Sequence, residues 1–219
     1  GDETGGLYFG KVKFDTSISD VTAALNDAES NVANGTASFE FAGTSGTLKL
    51  KDFTYKGGGH ADHPDACMFF ARNGAMEMAG NLTIEIEGTN SIEFVDTTSR
   101  DYKTAIGAAN VTVVGSAGSS LEIKIDTPSA GAKRNVCIGT NTLTIQGGCA
   151  VSVGAAACSG SDAELSAGCS INDLVVDGST LTSMGEDCGI DVSYSVEAKN
   201  GATINATGTA AGLRLANST

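Results

Sequence analysis

The chain has 219 residues, 13 Lys and Arg against 26 Asp and Glu, a formal net charge of −13 and a sequence pI near 4.4. A phosphate backbone or an anionic membrane surface is a poor partner for such a chain, because binding either takes clustered cations. Twenty-nine glycines, two prolines and no Trp suit many short strands joined by tight turns, and no run of 18 apolar residues offers a transmembrane segment.

In chain order, Leu7–Phe14 and Ser38–Phe41 alternate apolar and polar residues as strands do. Between them Ile18, Val21, Leu25, Ala28 and Val32 form a helical stripe, with Ser17, Ser19 or Asp20 available as N-cap. The expectation is a capping helix over about residues 20–33. Residues 1–45 then read as N-terminal strands and cap, and residues 46–219 as repeats of one continuous domain.

From Leu82 onward a strand, a Gly or Asn turn and a second strand keep returning. The first strands start at Leu82, Val111, Leu143, Leu174 and Val196, at intervals of 29, 32, 31 and 22 residues. A third family completes each repeat: Cys67-Met68-Phe69, Ala105-Ile106, Cys137-Ile138, Ser170-Ile171, Ile190-Asp191-Val192 and Leu213-Arg214-Leu215. Three short strands per repeat predict an all-β, right-handed parallel β-helix, a single-stranded solenoid of about six coils. Stacking in register predicts a ladder of Thr83, Thr112 and Thr144, and sets Glu93 over Glu122. The same reasoning sets Cys169 over Cys188, close enough for a disulfide. No strand pattern or cap follows Leu213-Arg214-Leu215, which opens that end of the stack to edge-to-edge self-association.

The run Gly46-Thr-Leu-Lys-Leu-Lys-Asp-Phe-Thr-Tyr-Lys-Gly57, the run Asn81-Leu-Thr-Ile-Glu-Ile-Glu-Gly-Thr-Asn-Ser-Ile92 and the opening Leu7-Tyr-Phe-Gly-Lys-Val12 resemble the carbohydrate-binding-domain-type right-handed β-helix proteins of gut and cellulolytic bacteria. The resemblance covers about residues 7–215 and implies a pectate-lyase-like fold. It also implies an extracellular or cell-surface location, a polysaccharide partner and calcium binding. It assigns no site residue. The chain starts at Gly1 rather than Met, so an export signal is expected to have been removed.

Loops longer than a turn requires, 56–65, 95–103, 126–135 and 154–168, follow the second strand of successive repeats and are expected along one edge. Asp96, Arg100, Asp101, Tyr102, Lys103 and Asp126 are the candidate ligand-binding residues there. His60, Asp62, His63 and Asp65 follow three glycines and are candidate metal ligands, as are Glu93 and Glu122, for which Ca²⁺ is the suitable ion. No paired inward Asp residues and no Ser/His/Asp set recur at stacked positions, so no catalytic residue is assigned. The reading is a carbohydrate-binding or adhesive surface domain. One alternative is a Ca²⁺-dependent uronate lyase with Arg100, Lys103 or Arg134 as base; the other is a self-assembling structural protein.

Overall fold

The computed structural model describes residues 5–71, 80–96, 98, 101–125, 132–158 and 161–215. Among these residues the fold is all-β apart from one short helix. Seventeen strands of described residues, mostly parallel, make one sheet that does not close on itself. Among the described residues, no helix is long and apolar enough to cross a membrane.

The opening segment is a hairpin of β1 (Gly6–Phe9) and β2 (Val12–Phe14). Helix α1 (Val21–Ala28) follows and is shorter than its apolar stripe suggests. Asp20 caps it by accepting the Ala23 N–H at 3.0 Å, and Val21 and Leu25 are its buried face. It stops early because the Asn26 side chain binds the chain beyond it. Its Oδ1 accepts from the N–H groups of Val32 and Ala33, and its Nδ2 donates to the Ala33 carbonyl. That draws residues 32–33 into β3 (Ala33–Ala42), which pairs antiparallel with β4 (Ser45–Gly57). Gly35, at φ +84°, allows the bulge between them; a Cβ there would meet the Asp52 carbonyl.

Three parallel ladders carry the rest. The first joins the start of β4 to β6 (Asn81–Glu87), β9 (Asn110–Val114) and the second halves of β11 (Arg134–Gln146), β13 (Leu165–Asp177) and β15 (Cys188–Lys199). Leu48, Ile84, Val113, Ile145, Val176 and Ala198 stand in one row of it. The second joins the end of β4 to β7 (Thr89–Phe94), β10 (Ser120–Ile125), β12 (Ala150–Ala155), β14 (Thr180–Gly185) and β16 (Thr203–Thr207). The third joins β5 (Ala66–Ala71), β8 (Tyr102–Gly107), the first halves of β11, β13 and β15, and β17 (Ala211–Leu215), with β1 lying antiparallel on β5.

One contiguous core draws on all three ladders, and a small second cluster of Val136, Leu165, Ala167 and Cys188 lies on the third. Parallel strands satisfy one another's backbone groups from repeat to repeat, while alternate side chains bury. Aromatics fill the early repeats, where Phe9 meets Phe53 and Tyr55, and Phe39 meets Phe14 and Phe70. Ile, Val, Ala and Cys fill the later ones.

The threonine ladder forms and starts one strand earlier, as Thr47, Thr83, Thr112 and Thr144. Two other expected pairings do not. Glu122 lies opposite Ser91, and Glu93 opposite Lys56 and Lys124, so the glutamates are two residues out of step. Cys169 lies opposite Ile190 and Cys188 opposite Ala167, and all six cysteines are free. In both cases aligning the visible Ile or Leu residues picks the wrong period-2 partner.

Candidate functional site at the corner between the second and third ladders

The described ends of the loops singled out in the sequence lie at one corner, where the chain leaves the second ladder and enters the third. The N–H of Val95 donates to Gly57 O at 2.9 Å as the second loop starts, and that of Thr104 to Asp65 O at 2.9 Å as it ends. The matching bonds in later repeats are Ala156 N–H to Ile125 O at 2.9 Å and Leu165 N–H to Lys133 O at 3.0 Å. The described ends of successive loops therefore sit about 4.8 Å apart along the stack.

The candidate ligand-binding residues separate into two groups. Tyr102 is 50% exposed, and Arg134 stands opposite it in the next repeat. With Gly139, Thr140, Asn141 and Ser170 they line a shallow depression on the third ladder. The Arg134 guanidinium donates to Ser170 Oγ at 3.4 Å, and among the described residues no carboxylate pairs with it. Asp101 is exposed at the rim, with Lys133 Nζ 3.8 Å from its carboxylate. Arg100 and Asp126 lie outside the described residues.

Lys103 borders the depression, but its ammonium is turned inward, away from a ligand or a base role there. It is 1% exposed, and its ammonium donates to the Asp96 carbonyl at 2.6 Å with the Asp96 carboxylate at 3.7 Å. Asp96 is itself nearly buried and accepts from the Thr98 N–H and hydroxyl. A buried ammonium is tolerable only with such partners. The pair pins the start of the loop from beneath.

That pin belongs to a row unnoticed in the sequence. Lys103, Asn135 and Ser166 are consecutive partners in register and all are buried. Asn135 Nδ2 donates to Ala156 O at 3.1 Å. Ser166 Oγ donates to Ala156 O at 2.8 Å and accepts the Glu186 N–H at 3.0 Å. Each buried polar side chain thus holds the backbone of a loop that has no strand partner of its own. The available signal was a polar residue three positions before each inward Ile106, Ile138 and Cys169.

The remaining candidates do not converge. His60 and His63 pack edge-on against the Tyr8 ring at 5.0 and 4.4 Å, and His63 stacks on Phe69 at 4.5 Å. His60 Nδ1 accepts the Asp62 N–H at 3.0 Å and lies 3.8 Å from the Asp62 carboxylate, while Asp62 and Asp65 are both exposed. The imidazoles cover the first end of the stack. Glu93 lies 3.6 Å from Lys56 Nζ, and Glu122 lies 3.5 Å from Lys124 Nζ, so cationic side chains already neutralise both. Among the described residues, no three His, Cys, Asp or Glu side chains come together to hold a metal ion.

No family model matches the chain, and neither a curated protein nor a solved structure matches it.

Proposed function

We propose that the three ladders are the faces of a right-handed parallel β-helix, and that the protein is an extracellular or cell-surface module binding an extended polysaccharide along the corner between its second and third faces. The observation that carries this reading is Tyr102: a half-exposed ring beside a guanidinium that meets no carboxylate among the described residues, in a depression lined by Ser, Thr and Asn. Sugar rings offer an apolar C–H face to an aromatic ring and hydroxyls to such polar groups. The polar row Thr54, Ser91, Glu122, Ser152 and Thr182 on the neighbouring ladder repeats every 4.8 Å or so, a spacing of the order of one sugar residue. The motif resemblance to carbohydrate-binding β-helix proteins supports the same reading. Arg134 favours a polymer carrying carboxylates over a neutral one, because a guanidinium pairs with a carboxylate in two parallel hydrogen bonds.

The test is co-sedimentation of the chain with insoluble cellulose and with pectate gels, each with Ca²⁺ and with a chelator. Retention on pectate is expected. Retention on neither polymer ends the carbohydrate reading.

A further inference from the structure

The charges beside the Tyr102–Arg134 depression alternate from repeat to repeat. The Lys133 N–H donates to Asp101 O and the Glu164 N–H to Lys133 O, both at 2.8 Å. Asp101, Lys133 and Glu164 therefore stand one above another beside the column Tyr102, Arg134 and Leu165. The Lys133 ammonium lies 3.8 Å from the Asp101 carboxylate, and Glu164 is exposed in the repeat that follows Arg134. Of the two described arginines, Arg214 is held by two hydrogen bonds of 3.2 Å to Asp191, the register partner of Ser170. Arg134 donates to Ser170 Oγ and meets no carboxylate among the described residues. Gly139, Thr140 and Asn141 beside it are uncharged. The site thus offers one guanidinium to a carboxylate, with an acid one repeat away on either side, on a chain of net charge −13.

We propose, resting on the carbohydrate reading above, that this site takes a single uronate flanked by uncharged sugars, so that the protein prefers a polymer of sparse charge to a polyuronate. The guanidinium pairs one carboxylate through two parallel hydrogen bonds, while the hydroxyl and amide groups serve neutral rings. In a polyuronate every sugar carries a carboxylate. Successive repeats lie about 4.8 Å apart, of the order of one sugar, so the neighbouring carboxylates arrive at the repeats of Asp101 and Glu164. Two like charges at about 5 Å in water cost about fourfold in affinity. A fully neutral polymer avoids that repulsion but leaves Arg134 without a carboxylate. Affinity is therefore greatest between the two extremes of charge.

Isothermal titration of the full chain with galacturonan oligosaccharides of one length tests this, comparing the free acid with partly and fully methyl-esterified forms. A chelator is present throughout, so that no cation bridges acid to acid. The partly esterified form should bind about tenfold more tightly than either extreme. Glu164→Gln should tighten binding of the free acid about fourfold and leave the fully esterified form unchanged. Arg134→Gln should abolish the preference for the partly over the fully esterified form. Affinity that rises steadily with the charge of the oligosaccharide, or a free acid indifferent to Glu164→Gln, overturns the proposal and leaves the carbohydrate reading standing. Binding of none of the three forms ends that reading and the proposal with it.

Discussion

Lys103 Nζ donates to the backbone carbonyl of Asp96 at 2.6 Å and faces the carboxylate of the same residue at 3.7 Å, with both side chains withdrawn from water. One cation thus neutralises a buried anion and satisfies a loop carbonyl lacking a strand partner. The long loops are held by this buried row, which leaves Tyr102, directly beside it in sequence, free to face outward.

Lys103→Met keeps the unbranched stem, one atom shorter, and removes the cation beside the buried Asp96 carboxylate. Removing one partner of a buried pair costs about 3–5 kcal/mol. Urea unfolding should show a lowered midpoint with an unchanged slope. A stability equal to wild type would show that Lys103 is a surface residue after all.

Asn90 ties three repeats together at the corner between the first and second ladders. Buried at 1% exposure, it accepts the Phe53 N–H at 2.9 Å and donates to Glu87 O at 3.0 Å and Ser120 O at 3.2 Å. Asn90→Ala leaves those backbone groups unpaired in the interior, at a cost of about 1–3 kcal/mol. Thermal or urea unfolding checks it; a loss below about 0.5 kcal/mol would mean that water replaces the amide.

The ladder Lys56, Glu93, Lys124 alternates in sign. Glu93→Lys should therefore destabilise the protein by about 0.5–1 kcal/mol at low salt, and by less at high salt. Had Glu93 stood over Glu122, the same change would stabilise. The sign of the shift in unfolding midpoint decides between the two registers.

Burial raises the thiols of Cys67 and Cys137 well above their ordinary 9.0 and pushes Cys169 up to about 12, all three being fully buried. A thiol whose folded pKa exceeds its unfolded one favours folding fully below pH 9. That contribution drains away as pH rises from 9 toward the folded value, because only the unfolded chain ionises there. Stability should fall steeply above pH 9, and Cys169→Ala should flatten part of that slope between pH 9 and 12. A thiol reagent at neutral pH should leave these three unlabelled and reach Cys158, the least buried cysteine, first. With all six thiols free, dithiothreitol should not move the melting temperature.

The strands were legible in the sequence because alternation at period 2 survives in nearly every repeat, and the shared loop corner followed from where those strands end. Register was harder. The second-ladder strand 89–94 places Asn90 in the buried position that Leu121 and Val151 fill in later repeats. With its first inward residue polar, the strand reads as starting at Ile92, and every pairing slides by two. The Cys169 and Cys188 slip has the same origin, since Ile171 pairs with Val192 rather than with Ile190. Lys103 was misplaced because a lysine in a loop-rich segment reads as a solvated charge. Only the fold shows that the following strand turns it inward, beneath the loop. The fusion of third and first strands into the long β11, β13 and β15 was also hidden, because a corner of one or two residues leaves no turn signature.

The central claim is that sugar binds at Tyr102 and Arg134, and isothermal titration with pectate oligosaccharides addresses it directly. Wild type should bind measurably, while Tyr102→Ala and Arg134→Ala each weaken binding at least tenfold, or about 1.4 kcal/mol, with unfolding midpoints unchanged. Both side chains reach the surface, so their truncation leaves the core intact. Binding of equal strength in the wild type and both variants would place the sugar elsewhere on the protein and contradict the account.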